Sequence, residues 1–103
     1  MKKPGSYIYI DLETTGLNAN TDRICQVGII LEDGSERDWL VNPGINIPAA
    51  ATELHGISND DVKEAPAFED LAGELVEYLE QAEVFVAYNF VFDFQFLQSE
   101  LFR

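Results

Sequence analysis

Three segments with strand character follow one another before the chain reaches its one strongly periodic helical stretch. That order restricts the fold more than any other feature of the sequence. Residues 7–12 (YIYIDL) and 23–32 (RICQVGIILE) are rich in β-branched and aromatic types, and residues 35–41 (SERDWLV) alternate in character. Thr14-Thr15-Gly16-Leu17-Asn18 breaks the first pattern as a turn, and Asp33-Gly34 is a hairpin signal between the second and third. The spacing predicts a three-stranded antiparallel meander.

After a loop marked by Asn42-Pro43-Gly44 and Pro48, residues 49–55 favour a short helix that Gly56 is placed to end. Ser58 can cap a further turn over residues 59–62. The clearest helix runs over 67–81. Phe68, Leu71, Ala72, Leu75, Val76 and Leu79 form one stripe, while Glu69, Asp70, Glu74, Glu77 and Glu80 take the other face. Residues 84–88 (VFVAY) read as a buried strand, and 91–102 as another helix. A helix leading into a new strand implies that this strand joins the sheet in parallel. The predicted class is therefore α/β, with order β-β-β-α-β-α. No closing strand precedes Arg103, so an open edge is expected, with Phe85, Phe90, Phe92 and Phe94 short of packing partners.

The chain has 103 residues, of which 47% are apolar, enough for one domain with a core. Its 19 acidic against 6 basic residues, net −13, argue against a nucleic-acid grip through a broad basic surface. They do not argue against an enzyme that holds a nucleic-acid end through metal ions, because divalent cations invert the local potential where carboxylates gather. No stretch approaches the ~20 apolar residues of a membrane span. Lys2 and Lys3 are not followed by a long apolar run, so a cytoplasmic location is expected. Cys25, the single cysteine, lies in an apolar run and reads as a core residue, not a nucleophile.

Certain carboxylates have a chemical look. Asp11 and Glu13 are two residues apart at a strand end, so both point to one face while Ile8, Ile10 and Leu12 point to the other. Such a pair is either an exposed rim or a site for a hard divalent ion such as Mg²⁺ or Mn²⁺. Asp93 opens a very apolar helix. It is either an acid complementing the helix dipole or a third member of the same site. Asn89 just before it is a helix cap or a polar group lining that site.

Together these residues resemble a known family. Asp11-Leu12-Glu13-Thr14-Thr15-Gly16-Leu17 resembles the first motif of the DEDD 3'–5' exonucleases, the superfamily that includes the proofreading subunit of bacterial DNA polymerase III. Ile47-Pro48 through His55-Gly56-Ile57-Ser58 resembles the middle segment, and Val86-Ala87-Tyr88-Asn89 with Phe92-Asp93 and Phe96-Leu97 the second motif. The resemblance covers essentially the whole chain and implies a ribonuclease H-like mixed sheet. It implies Asp11, Glu13 and Asp93 as catalytic metal ligands for two divalent ions, Mg²⁺ or Mn²⁺, that activate a water and stabilise the leaving 3'-oxygen. It further implies Thr14, Thr15, Gly16, Leu17, His55, Asn89 and Phe92 as the surroundings of a 3'-terminal nucleotide. Gly16, lacking a side chain, would let backbone approach the substrate. His55 matches the middle segment and is expected to shape the site or close a helix, not to act as the base.

The sequence departs from the pattern after Asp93. The family's third motif, H-x4-D, supplies a general base and a fourth carboxylate, and no counterpart follows here. Tyr88 stands where many relatives have histidine. Residues 1–103 are thus expected to be the N-terminal portion of an exonuclease domain, cut short before its third motif. The expected partners are a single-stranded DNA or RNA 3' end, DNA polymerase subunits and a second chain carrying the missing motif. The alternatives are a non-catalytic module that binds nucleic acid or a polymerase subunit, and an inert fragment.

Overall fold

The computed structural model describes residues 4–103; the lysines at positions 2 and 3 lie outside the described residues. The chain folds as β1 (Tyr7–Thr14), β2 (Ile24–Leu31), β3 (Glu36–Leu40), α1 (Ala49–His55), α2 (Asn59–Val62), α3 (Phe68–Leu79), β4 (Val84–Val86) and α4 (Phe90–Leu101). The four strands form one sheet in the order β3-β2-β1-β4. β1 pairs antiparallel with β2 and β2 with β3, while β4 joins β1 in parallel. This is the mixed α/β sheet the sequence predicts.

Two boundaries differ in an informative way. β1 continues through Glu13 to Thr14, where the sequence predicted a break, because Leu12 and Glu13 still pair with Val27 and Gln26 of β2. The register then shifts between Glu13 and Thr14, and Thr14 pairs with Ile24. Ladder pairing overrides the local turn preference of the threonine pair. β4 is shorter than the 84–88 predicted, because it pairs only with Tyr7–Tyr9, and Ala87 and Tyr88 turn toward α4.

Alternation along β1 sends Ile8, Ile10 and Leu12 into the core. They meet Val27 and Ile29 of β2, Trp39 of β3, Phe68, Leu71 and Leu75 of α3, and Phe96 and Leu97 of α4. A fully buried side chain such as Leu75 contributes roughly 1.5–3 kcal/mol relative to exposure. α3 begins where the Asp70 carboxylate accepts from the Ala67 N–H at 3.2 Å. A second small core of Cys25, Ile47, Ile57 and Val62 lies under α1 and α2. Gly56 ends α1 with φ +80°, a conformation that favours glycine, and Ser58 caps α2 with a reciprocal Ser58–Asp61 pair.

The opposite face of the sheet is open, with Tyr7, Tyr9, Ile30 and Val84 exposed. Phe85, Phe90 and Phe94 are exposed as expected, and Phe90 stacks on Phe94 at 5.7 Å. Phe92 departs from that expectation. The helical period turns it toward the core, where it is half-buried and lies 4.8 Å from Phe96. Among the described residues no helix is long and apolar enough to cross a membrane.

Candidate active site

The sheet and α4 bring Asp11, Glu13 and Asp93 into one neighbourhood. Asp11 and Glu13 occupy the face of β1 opposite the core, as their spacing requires. Asp11 sits across from Gly28, whose missing side chain leaves space beside it. Asp11 also lines a cavity of about 500 Å³, together with Tyr9, Gly28, Arg37, Asp38 and Tyr88. Asp93 lies in the first turn of α4, 6% exposed, beside an apolar wall of Ile10, Phe85, Ala87, Phe90, Phe94 and Leu97.

The three carboxylates act on one another. Burial pushes the Asp93 carboxyl up to about 6, and the charges of Asp11 and then Glu13 add to the rise. Glu13 is also raised, by burial first and by Asp11 second, with His55 offsetting part of this. Among the described residues no donor holds the Asp93 carboxylate. A nearby cation would compensate this grouping directly. The donor set is all oxygen, which suits Mg²⁺ or Mn²⁺. Among the described residues no three His, Cys, Asp or Glu side chains are arranged as they stand to hold a metal ion. The carboxylates share a field without forming a closed cage.

The loop after Glu13 is tied together internally. Thr14 Oγ1 donates to the Gly16 carbonyl at 2.6 Å, and Thr15 Oγ1 donates to Asp22 Oδ1 at 3.0 Å. Asp22 Oδ2 accepts from the Asn18 N–H at 3.1 Å. Thr15 is buried and also exchanges two bonds with Arg23: its N–H donates to the Arg23 carbonyl, and its hydroxyl accepts from the Arg23 N–H. Gly16 has a structural reason to be glycine, since a Cβ there would collide with the Asp22 carboxylate, whose carbon would lie 2.7 Å away. Leu17 is left 85% exposed at the lip of the loop.

Asn89 is the cap of α4, its side-chain oxygen accepting from the Phe92 N–H at 3.4 Å. Phe92 is turned to the core, and His55 spends its ring nitrogens inside the protein, on Thr14 and Ile57. Cys25 is buried, and burial, with Glu13 nearby, pushes its thiol up to about 11, as befits a core residue.

Two residues that position the site are not evident in the sequence. Asp22 organises the loop by the bonds above. Glu100, with its side chain 2% exposed, accepts from Arg23 and Arg103 and from the Ile24 N–H, tying the end of α4 to the start of β2. A sequence signal for Glu100 does exist: with Asp93, Phe96 and Leu97 it occupies the i, i+3, i+4, i+7 stripe that the helix buries.

Comparison with known proteins bears on the family and the fold. The chain is similar to the 3'-5' exonuclease DinG of Bacillus subtilis, 39% identical over 100 residues that cover 92% of this chain and 11% of DinG. It is similar to the DNA polymerase III subunit epsilon of Rickettsia conorii, 32% identical over 91% of this chain and 43% of that subunit. The chain therefore spans less than half the length of these curated relatives. Among solved structures it superposes on product-bound exonuclease I with a TM-score of 0.85 at 17% identity, over 97% of this chain and 26% of that one, a likeness of fold. The RNase T exonuclease family matches residues 8–103. The chain belongs to that exonuclease family.

Proposed function

We propose that residues 1–103 are the metal-holding portion of a 3'–5' exonuclease domain, which hydrolyses the terminal phosphodiester of a DNA or RNA strand. The observation that carries this reading is the convergence of Asp11, Glu13 and Asp93 on one electrostatic neighbourhood, with Asp93 pushed up to about 6 by burial and by the other two acids. Asp11, Glu13 and Asp93 would hold the divalent ions, Mg²⁺ or Mn²⁺. When bound, such ions supply water activation and charge neutralisation at the phosphate.

The chain's own groups bind and orient. Thr14, Thr15 and Gly16, held by the Thr14–Gly16 and Thr15–Asp22 bonds, give the terminal nucleotide a fixed floor. Leu17 offers an apolar surface against a base. His55 lies against the start of this loop, Asn89 fixes the start of α4, and Phe92 packs that helix against the core. Among the described residues the one histidine, His55, has both ring nitrogens engaged and is not placed to take a proton from water. That role and a fourth carboxylate fall to a further segment, in the same chain or a second one. DNA polymerase subunits are the natural assembly partners, by similarity to relatives such as the epsilon subunit.

The test is nucleotide release from a 3'-labelled single-stranded oligonucleotide in Mn²⁺. The chain is assayed alone and joined to a relative's segment bearing H-x4-D, with Asp11→Ala as control. Release by the joined protein, lost in the control, is expected. Oligonucleotide binding without release by the joined protein would mark a binding module instead.

A further inference from the structure

Both ring nitrogens of His55 are engaged inside the protein. The Ile57 N–H donates to Nδ1 at 3.1 Å, so Nδ1 carries no proton and Nε2 does. Nε2 then donates to the Thr14 carbonyl at 3.1 Å, with Cys25 Sγ 3.8 Å from the same nitrogen. That carbonyl lies at the register shift between Glu13 and Thr14, where β1 leaves its regular ladder with β2. A strand end with a disturbed ladder holds its side-chain directions poorly unless something else fixes it. The turn bearing the histidine is itself firm. The Gly56 N–H donates to the Thr52 carbonyl at 2.7 Å, and Thr52 Oγ1 donates to the Ile57 carbonyl at 2.8 Å. Ile57 is buried in the small core with Cys25.

We infer that His55 is a positioning residue, a clamp from the end of α1 onto the Thr14 carbonyl that fixes where Glu13 stands relative to Asp11 and Asp93. The contact stands by itself; its consequence for metal binding rests on the reading of those acids as ligands. A histidine used in this way has neither a free lone pair nor a free N–H for proton transfer, which separates it from a general base.

Two substitutions divide the two bonds. In His55→Asn the shorter side chain can still accept from the Ile57 N–H but falls short of Thr14. In His55→Gln an amide N–H still reaches the Thr14 carbonyl. Mn²⁺ binding is measured by electron paramagnetic resonance on the full chain, with thermal unfolding in chelator alongside. His55→Asn is expected to bind Mn²⁺ about tenfold more weakly, at the low end of what losing a ligand's direct outer-shell partner does because His55 acts through the backbone beside Glu13, with its unfolding little changed. His55→Gln is expected to stay close to wild type. Equal affinity in all three proteins overturns the clamp. A wild type that binds no Mn²⁺ overturns the metal reading, and amide hydrogen exchange at Glu13 and Thr15 then decides for His55. Faster exchange in His55→Asn supports the clamp, and unchanged exchange overturns it.

Discussion

Glu100 near the end of α4 and Arg23 just before β2 form an ion pair of 2.9 Å, with the Glu100 side chain 2% exposed. The same carboxylate accepts from the Ile24 N–H at 3.2 Å and from Arg103 at 2.7 Å. This fastens α4, and with it Asp93, against the strand that follows the Thr14–Asp22 loop. Removing one partner of such a pair leaves a buried charge or a buried donor unsatisfied. Glu100→Gln, which leaves Arg23 and Arg103 about a third exposed without their anion, is expected to lower unfolding free energy by about 1–2 kcal/mol in urea denaturation. A loss within experimental error would mean that the pair contributes nothing net.

Asp93 links stability to pH. Its carboxyl is raised from 3.8 to about 6 in the fold, so between these values the folded chain holds a proton that the unfolded chain has lost. Without metal, stability therefore falls as pH rises from about 4 to about 6 and levels off above. Glu13, raised in the same direction, adds to the slope. Asp93→Asn is expected to flatten much of it and to stabilise the metal-free protein at pH 7 by about 1–2 kcal/mol, allowing for solvent screening. Urea melts in chelator across this range check the sign; stability rising with pH there would contradict it.

Gly16→Ala would drive a methyl into the Asp22 carboxylate. A shift of Asp22 breaks its bonds to Thr15 and Asn18, so a loss of about 1–3 kcal/mol is expected. Chemical denaturation measures the loss. An unchanged midpoint would show that the loop yields freely.

Cys25 is fully buried with its thiol raised to about 11. Its reaction with a disulfide reagent at pH 8 is expected to be at least about a hundredfold slower in the native protein than in urea. Comparable rates would place the thiol at the surface.

Much of this fold follows from local pattern. Alternation in Tyr7–Leu12 and the stripe of α3 fix which faces are buried, and the helix before Val84 fixes β4 as parallel. That Asp11 and Glu13 share one face was legible from the strand period, whereas their grouping with Asp93 was implied only by the family resemblance. Other features depend on partners distant in sequence. β1 runs on to Thr14 because β2 pairs with it, and Asp22 and Glu100 acquire their roles only when loop, strand and helix meet. Phe92 read as part of the substrate surroundings because its motif was legible, while its turn toward Phe96 follows from the helical phase.

Holding a divalent metal is the role proposed for Asp11, Glu13 and Asp93 together. Mn²⁺ titration followed by electron paramagnetic resonance tests it most directly, on wild type and on Asp11→Asn, Glu13→Gln and Asp93→Asn separately. Wild type is expected to bind Mn²⁺, and each substitution to weaken binding by at least about tenfold, because each removes a charged oxygen ligand. Wild-type affinity in Asp93→Asn, or no binding by the wild type, would contradict the claim.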